Sequence, residues 1–181
     1  AASDVYKRQI YINGRFLINN PTGIENFAYG MCKAMLEKGI KFIILTPKSA
    51  IRSYDVIGFD MIKIGLFTGP LWEQIDLSFF MIGKSRDILI SFSGAGSLII
   101  KNQIITIHDV AVFQHPEWFS KTYSILYKTI TPIIARKSKA ILTVSEFSKR
   151  EITNLFGINS DKVIVTYSSP KNYSKCDLIH E

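Results

Sequence analysis

The sequence has little cysteine and no long apolar run that is free of charge. Its 181 residues include two cysteines, Cys32 and Cys176, which cannot build a disulfide framework and do not have metal-ligand spacing. No uncharged run reaches the ~20 residues of a membrane span, and no signal-peptide pattern stands at the start of the sequence. These absences argue against the disulfide-rich secreted and membrane-spanning classes and predict a cytoplasmic chain in a reducing compartment.

Dense basic runs are also missing, although the chain is basic overall. Lysine and arginine number 22 against 15 for aspartate and glutamate, which gives a formal net charge of +7. This balance favours an anionic partner: nucleic acid, a phosphorylated small molecule or a membrane surface. The basic residues are scattered, with local clusters only at residues 135–139 and 148–151, so we expect no nucleic-acid partner. Peripheral contact with the inner face of a membrane is compatible with this charge.

Signatures of nucleotide, protease and metal chemistry are incomplete or missing. The stretch GAGSLI, residues 94–99, starts like a dinucleotide fingerprint, but Ile99 stands where glycine or alanine is required. The segment after it is too short for the helix of such a site. No P-loop, nucleophile elbow or zinc-protease motif occurs. His108 and His115 are seven residues apart, which fits no standard metal spacing, so we expect no metal site.

The sequence does contain a regular alternation of apolar strand patterns with helical patterns. It is 47% hydrophobic and 20% charged, a globular composition, and its length favours one domain with a full-sized core. Strand patterns with few polar interruptions are typical of strands buried on both faces of a parallel sheet. They occur at residues 9–17, 41–47, 61–67, 87–94, 103–109, 140–145 and 161–169. The sequence therefore predicts an α/β fold with a Rossmann-like, doubly wound, mainly parallel sheet.

Helical spacing connects several of these strands. One helix is predicted to follow the turn at residues 19–23 and to stop at Gly39. A second predicted helix has a single apolar face, formed by Trp72, Ile75, Phe79 and Ile82. A long helix is predicted over residues 116–139, with Pro116 in its first turn. Its apolar stripe consists of Phe119, Tyr123, Leu126, Tyr127, Ile130 and Ile134.

The last predicted helix has two candidate N-caps. Ser148 and Glu151 have the spacing of a capping box, and Ser145 is the alternative. The pattern by itself leaves both open.

Polar residues follow several predicted strands at their carboxyl ends, where parallel sheets bind ligands. They stand at residues 91–94, at residues 108–109, at residues 145–146 and in the turn at residues 19–23. Because the carboxyl ends of parallel strands meet at one edge of a sheet, we expect these segments to converge on one rim.

Each candidate has more than one interpretation. His108 is a candidate base, a hydrogen-bond donor to a substrate, a metal ligand, or a strand-end histidine with a purely structural partner. The turn before the first helix is either a phosphate or carboxylate site or an ordinary turn, since every helix has an N-terminus.

The order and spacing of these pieces resemble the N-terminal domain of the retaining glycosyltransferases of family 4, which have the GT-B fold. The matching stretches are TIHDVAVFQHPEWFS, YKTITPIIARKSKAILTVSEFSKREI and NLFGINSDKVIVTY, preceded by NGRFLINNPTGIENFAYGM and GPLWEQIDL. The resemblance covers nearly all of residues 10–167 and implies one half of a GT-B fold.

The resemblance implies roles for particular residues. His108 matches the histidine that hydrogen-bonds the donor sugar and helps to hold the transition state. Gly23 matches the glycine of the first turn, whose backbone lies near the donor diphosphate and the acceptor. Asp109 matches the residue paired with that histidine. The other matching positions are Thr22 in the glycine turn, Arg15 near the rim, and Ser145, Glu146 and Ser148 at a junction lining the cleft.

The implied activity is sugar transfer with retention, from a nucleotide-sugar donor to a glycan or lipid-linked acceptor, in cell-surface polysaccharide synthesis and without metal or cofactor. Negative charge would build on the leaving phosphate, where backbone N–H groups and cations stabilise it. The sequence departs from the family pattern at two places. Thr22 stands where the family usually has the first of two glycines, and YSSP follows the last strand in place of asparagine-glycine.

The resemblance also implies a domain organisation. Residues 10–169 are predicted to form the acceptor-side domain, residues 170–181 to begin an interdomain linker, and residues 1–9 to be non-native or disordered. We expect that a donor-binding C-terminal domain is missing from this sequence and that the chain is inactive alone. A non-catalytic, split or degenerate module that binds a glycan or a partner protein is the alternative. An unrelated nucleotide-binding domain is disfavoured by the incomplete glycine fingerprint.

Overall fold

The computed structural model describes residues 8–49 and 54–167, and these form a seven-stranded sheet in which every pairing is parallel. The strands are β1 (Ile10–Asn13), β2 (Ile43–Thr46), β3 (Met61–Lys63), β4 (Ile88–Ser91), β5 (Gln103–Thr106), β6 (Ala140–Thr143) and β7 (Val163–Val165). Each predicted strand is present with shorter bounds, and the predicted parallel α/β fold is confirmed. The predictions for residues 1–7 and 168–181 lie outside the described residues, as does Cys176.

Helices and short turns connect the strands. The helices are α1 (Gly23–Glu37), α2 (Gly69–Trp72), α3 (Ser78–Met81), α4 (Ala111–Gln114), α5 (Lys121–Lys137) and α6 (Glu146–Phe156). A π-helical turn, Glu73–Leu77, joins α2 to α3 without a break. Single 3-10 turns occur at Gly14–Ile18, Pro116–Trp118 and Ser160–Lys162.

The strand order creates a switch point in the middle of the sheet. The order is β3-β2-β1-β4-β5-β6-β7, so the chain first builds outward from β1 in one direction and then returns to build from β4 in the other. The connections after β1 and β4 therefore leave the sheet in opposite directions. In such sheets a crevice opens at the carboxyl ends of the two strands, and ligands bind there.

Helices cover both faces of this sheet. Successive strand residues point to opposite faces. On one face Ile12 and Ile90 pack in a buried cluster with α1. On the other face Tyr11 and Leu89 pack against α2 and α3, while α5 and α6 cover β5, β6 and β7. This is the doubly wound arrangement that the strand patterns predict.

The first predicted strand is too long. It ends at Asn13 instead of residue 17, because the Asn13 side chain accepts a hydrogen bond from the Arg15 N–H at 3.2 Å and starts a 3-10 turn. Gly14 permits this turn to lie against β2, since a Cβ at this position would stand 2.7 Å from the Leu45 carbonyl oxygen.

The predicted apolar face of the second helix is wrong. Trp72 is buried, but Ile75, Phe79 and Ile82 are exposed, with Phe79 at 77%. The π-helical turn adds residues to one helical turn and rotates the segment after it. The buried positions of the segment are instead Trp72, Glu73, Leu77, Ser78 and Met81.

The long helix begins later than predicted. Pro116 starts a separate 3-10 turn, and Ser120 is the N-cap of α5, with its hydroxyl accepting from the Tyr123 N–H at 3.3 Å. The Ser120 cap therefore leaves Phe119 outside α5, although the predicted apolar stripe included it. The helix then runs through Pro132 to Lys137.

Within residues 8–49 and 54–167, no helix combines the length and the apolar character that crossing a bilayer requires.

Candidate active site

A cleft of about 240 Å³ opens beyond the carboxyl ends of the central strands. One wall comes from the turn after β1 and the start of α1, and the floor comes from the segments after β4 and β5. The opposite wall is the first half of α5. The fold therefore brings Arg15, Glu25, His108 and Asp109 to one place, as the parallel sheet predicts.

His108 follows β5 and is held by two contacts. Its Nε2 lies 3.2 Å from the Phe92 carbonyl oxygen, and its ring meets the Phe27 ring edge-on with centroids 5.1 Å apart. A carbonyl oxygen only accepts hydrogen bonds, so Nε2 carries the proton. Burial lowers the pKa of His108 below its ordinary value, although the Phe92 carbonyl and nearby carboxylates oppose this shift. The imidazole is therefore neutral near pH 7, with its second nitrogen, Nδ1, available as an acceptor or base.

Asp109 is beside this histidine in sequence but does not hydrogen-bond its ring. Its carboxylate accepts from the Ala111 N–H at 2.9 Å and starts α4. The carboxylate acts on His108 only through its charge, which favours the protonated imidazole. The residues that orient His108 are thus Phe92 and Phe27.

The start of α1 is not capped by a side chain. Thr22 occupies the N-cap position, but its hydroxyl donates to the Glu25 carboxylate instead of accepting from the helix. The Asn19 amide also donates to Glu25, at 3.1 Å. The first N–H groups of a helix need partners from outside the helix, and the N-cap side chain supplies none here. A Cβ on Gly23 would meet nothing within 4 Å, so the space beside this glycine is open.

A buried carboxylate, Glu73, lies directly beneath the cleft. Its Oε2 accepts from the Arg15 guanidinium at 2.6 Å, and its Oε1 accepts from the Asn13 amide at 2.7 Å. Asn13 also donates to Ser91 at 3.2 Å, which ties the ends of β1 and β4 together. The sequence stretch around Glu73 was matched to the family, but the residue itself was not predicted as part of the site.

Burial and the surrounding hydrogen-bond donors determine the charge states of Glu73 and Arg15. Burial raises the pKa of Glu73 above its usual value, and the donors from Arg15, Asn13 and the backbone amides after β4 oppose this shift without cancelling it. Every partner of Glu73 is a donor, and we therefore assign it as an ionised carboxylate. Burial acts to lower the pKa of Arg15, but Glu73 and the Tyr127 hydroxyl outweigh this effect and raise it.

The glycine-rich loop after β4 faces the same carboxylate. Gly94 and Gly96 both have φ near 78°, and the backbone N–H groups of Ala95 and Gly96 point at Glu73. A Cβ on Gly94 would overlap the Glu73 carboxylate. Successive N–H groups of this kind form an anion-binding nest. The glycines of residues 94–99, which resemble a dinucleotide fingerprint, therefore surround the protein's own Glu73 carboxylate.

The α5 wall is aromatic. Phe119 and Tyr123 stack with centroids 5.5 Å apart, and Tyr123 stacks on Tyr127 at 4.1 Å. The sequence pattern placed these rings on the same stripe as Ile130 and Ile134, which are buried in the core, whereas Tyr127 only packs against its edge and Tyr123 is exposed. Burial raises the pKa of Tyr123 to about 12, so its hydroxyl keeps its proton. The spacing of four residues between aromatic side chains was the signal for this wall.

Ser145 and Glu146, at the start of α6, lie outside the cleft. Ser145 is the N-cap of α6, and its hydroxyl oxygen accepts from the Ser148 N–H at 3.0 Å. Neither Ser145 nor Glu146 lines the cleft. Of the two N-caps that the sequence allows, Ser145 is therefore the correct one. Ser148 and Glu151 do not form a capping box, because the Glu151 carboxylate accepts from the Gln114 amide.

His115 is also outside the cleft, in the turn between α4 and α5. It stacks on Trp118 with centroids 4.1 Å apart and lies 3.2 Å from the Glu117 carboxylate. Across the two described ranges, no three histidine, cysteine, aspartate or glutamate side chains cluster in a way that could hold a metal ion.

A doubly wound parallel sheet with a polar and aromatic cleft over its switch point defines a Rossmann-like ligand-binding domain. The chain belongs to Glycosyltransferase Family 4, whose family model matches residues 21–168.

Two curated relatives are similar to shorter parts of the chain. The O-antigen chain mannosyltransferase RfbU of Salmonella typhimurium is 29% identical over 83 residues, which cover 46% of this chain and 22% of that protein. The O-antigen chain mannosyltransferase B of Escherichia coli is 31% identical over 67 residues, covering 37% and 18%. The matched segments thus span only a small part of either relative.

Proposed function

We propose that the chain is the acceptor-side domain of a retaining glycosyltransferase. It would transfer a sugar from a nucleotide-sugar donor to a glycan or lipid-linked acceptor in cell-surface polysaccharide synthesis. The observation that carries this proposal is the meeting of His108, Arg15 and the uncapped start of α1 at one cleft of a family 4 domain. Both relatives are named as O-antigen chain mannosyltransferases, which supports the same class of reaction.

In this proposal the start of α1 receives the donor diphosphate. The N–H groups at a helix N-terminus favour an anion, no side chain caps this one, and the open space beside Gly23 lets a phosphate approach the backbone. These groups would stabilise the negative charge that builds on the leaving diphosphate. Arg15, paired with Glu73, lies at the same cleft. The reaction that we propose uses no metal and no cofactor.

His108 acts on the donor sugar in the same proposal. Its Nε2–H is committed to the Phe92 carbonyl, and its Nδ1 can accept a hydrogen bond from a sugar hydroxyl. A neutral imidazole also adds no positive charge beside an oxocarbenium-like transition state. Ser145 and Glu146, which lie outside this cleft, take no part in the mechanism that we propose.

A second domain completes the site in this proposal. The described part of the chain offers the donor the start of α1 and His108, and we propose that a donor-binding domain supplies the remaining contacts. A non-catalytic module that binds a glycan is the second candidate, favoured by the stacked aromatic wall of the cleft.

The test is an assay of nucleoside diphosphate release with a panel of nucleotide sugars and lipid-linked acceptors. The 181-residue chain is assayed alone and together with a donor-binding domain of a family 4 enzyme. We expect no release from the chain alone, and release with a retained product anomer from the pair. Turnover by the chain alone would contradict the proposed division between domains. Release from no pairing, with glycan binding intact, would favour the non-catalytic module.

We also propose peripheral contact with the membrane that carries the acceptor. The net charge of +7 and the exposed apolar side chains along α2 and α3, with Phe79 the most exposed of the helical ones, support this location.

A further inference from the structure

The turn before α1 has the sequence of a capping box but not its hydrogen bonds. Thr22 and Glu25 have the required spacing, in which the threonine oxygen accepts from the backbone N–H of the glutamate and caps the helix. Here the Thr22 hydroxyl instead donates to the Glu25 carboxylate and caps nothing. The cap that the sequence provides for α1 is therefore not used.

Glu25 is held in this turn by both of its carboxylate oxygens. One oxygen accepts from the Thr22 hydroxyl, and the other accepts from the Asn19 amide at 3.1 Å. The residue is only 8% exposed and lines the cleft. A hydrogen bond to a carboxylate is roughly twice as strong as one between neutral groups, so Glu25 determines which way the Thr22 hydroxyl points.

The charge of Glu25 is unfavourable for the diphosphate that we propose to bind at this turn. A carboxylate repels a phosphate, and Glu25 forms no salt bridge with a cation within residues 8–49 and 54–167. Its place in the cleft therefore calls for a role other than attraction of the ligand. Holding Thr22 is such a role, because uncapped N–H groups at a helix start are the groups that bind an anion.

A buried hydroxyl on the neighbouring strand also points to a polar ligand here. Thr106, on β5, lines the same cleft as Glu25 and is 4% exposed, but its hydroxyl has no hydrogen-bond partner in the described part of the chain. Thr106 is in register with Leu142, which packs against the cluster under α1, so both face α1. Buried polar groups generally have a partner, and a bound ligand can supply it.

We propose that Glu25 is a positioning residue that keeps the start of α1 uncapped for the donor diphosphate. The carboxylate holds the Thr22 hydroxyl, and the diphosphate receives the N–H groups of the first turn. Without the carboxylate, Thr22 caps the helix and competes with the diphosphate for the same N–H groups. This inference rests on the proposed function and adds the residue that controls access to its phosphate site.

The decisive comparison is between Glu25→Ala and the double variant Thr22→Ala/Glu25→Ala. Both lack the carboxylate, and only the first keeps the hydroxyl. In the two-domain enzyme, the donor KM of the double variant should be about fivefold lower than that of Glu25→Ala, which is the effect of one N-cap hydroxyl. If the turn were only structural, the second substitution would remove a further contact and raise KM. An equal or higher donor KM for the double variant would overturn the proposal.

Glu25→Gln separates the hydrogen bond from the charge. The carbonyl oxygen of glutamine can still accept from Thr22, so the donor KM of this variant should lie below that of Glu25→Ala. Glu37→Ala is the matched control, because it removes an exposed carboxylate from the other end of the same helix, and it should change the donor KM by less than about twofold. Equal donor KM values for Glu25→Gln and Glu25→Ala would contradict a role for the contact with Thr22.

Amide exchange in the 181-residue chain measures the cap without any ligand. In Glu25→Ala, the backbone N–H at position 25 should exchange with solvent about fivefold more slowly than in the double variant, because the Thr22 hydroxyl then accepts from it. NMR solvent-exchange rates give this ratio, and thermal unfolding confirms that both variants are folded. Equal exchange rates would overturn the proposal without reference to activity.

The two proposals can fail separately. Active transfer with the same donor KM in Glu25→Ala and the double variant would overturn the role of Glu25 and leave the proposed function standing. Slower exchange at position 25 in Glu25→Ala, without transfer from any nucleotide sugar in any pairing, would confirm the contact between Thr22 and Glu25 but overturn the donor site that it serves.

Discussion

Glu73 holds Arg15 at the switch point of the sheet, with its carboxylate oxygen 2.6 Å from the guanidinium and its side chain completely buried. The two residues are 58 positions apart in sequence. Asn13 and the glycine loop after β4 donate to the same carboxylate, so one side chain joins three segments that frame the cleft.

Replacing Glu73 with glutamine should therefore destabilise the fold. Removal of one partner from a buried ion pair leaves the other charge without compensation, and we expect a loss of about 3 kcal/mol in the free energy of unfolding. Urea denaturation followed by circular dichroism measures the loss. Glu117→Gln is the matched control, since Glu117 is exposed in its contact with His115 and its replacement should leave the transition unchanged. Equal midpoints for the two variants would argue against Glu73 as an anchor.

His108 and His115 should differ sharply in their effect on activity. His108 lies in the cleft and His115 in the turn before α5. His108→Ala in the two-domain enzyme should lower kcat by about a hundredfold, because a positioned hydrogen-bonding group is lost. His115→Ala should change kcat by less than about threefold. A similar loss for both variants would show that the two histidines do not have separate roles.

The neutral state of His108 should make stability depend on pH. Burial lowers the pKa of His108 from its ordinary value of 6.5. Below pH 6.5 the unfolded chain therefore binds more protons at this residue than the folded chain, and the free energy of unfolding decreases as the pH falls. The His108→Gln variant lacks this titrating group and keeps every other titratable residue of the native chain. Denaturation at several values between pH 7.5 and 5 should give a flatter curve for the variant; parallel curves would contradict the assignment.

Gly23→Ala should separate stability from donor binding. The folded chain has room for the added methyl group, and alanine is the better helix residue, so stability should stay equal or rise by about 0.5 kcal/mol. If a phosphate approaches this backbone, the donor KM should rise about tenfold. Gly30→Ala, in the interior of α1 and also without neighbours, should raise stability and leave KM unchanged. An unchanged donor KM for Gly23→Ala would show that the diphosphate does not bind at this turn.

The membrane contact can be tested through α2 and α3. Leu71 and Phe79 are exposed on this segment, and Ile57 is a similarly exposed apolar residue outside it. Joint replacement of Leu71 and Phe79 by serine should reduce sedimentation with phosphatidylglycerol vesicles at least threefold, because apolar area enters the interface on binding. Ile57→Ser should leave sedimentation unchanged. The proposal fails if the native chain does not sediment, or if Ile57→Ser has the same effect.

The sequence by itself determined the layers of this protein and the location of its cleft. Seven apolar stretches identified the strands, and their lack of strict alternation indicated a parallel sheet with both faces covered. His108 at the end of β5 and the turn before α1 could be assigned to one rim, because the carboxyl ends of parallel strands share an edge. These properties depend on local pattern and on a general rule of sheet topology.

The tertiary structure alone decided which side chains complete the site. The π-helical turn, which begins at Glu73, brings Leu77 and Ser78 into the core and turns Phe79 into solvent, and no periodicity of the sequence marks that extra step. Arg15 and Glu73 are paired by a contact between segments that are distant in sequence. Tyr123 and Ile134 belong to one helical stripe, but they part because the stripe continues past the edge of the sheet into the cleft. Local pattern shows which face of an element is apolar or aromatic, whereas the packing of neighbouring elements decides what that face meets.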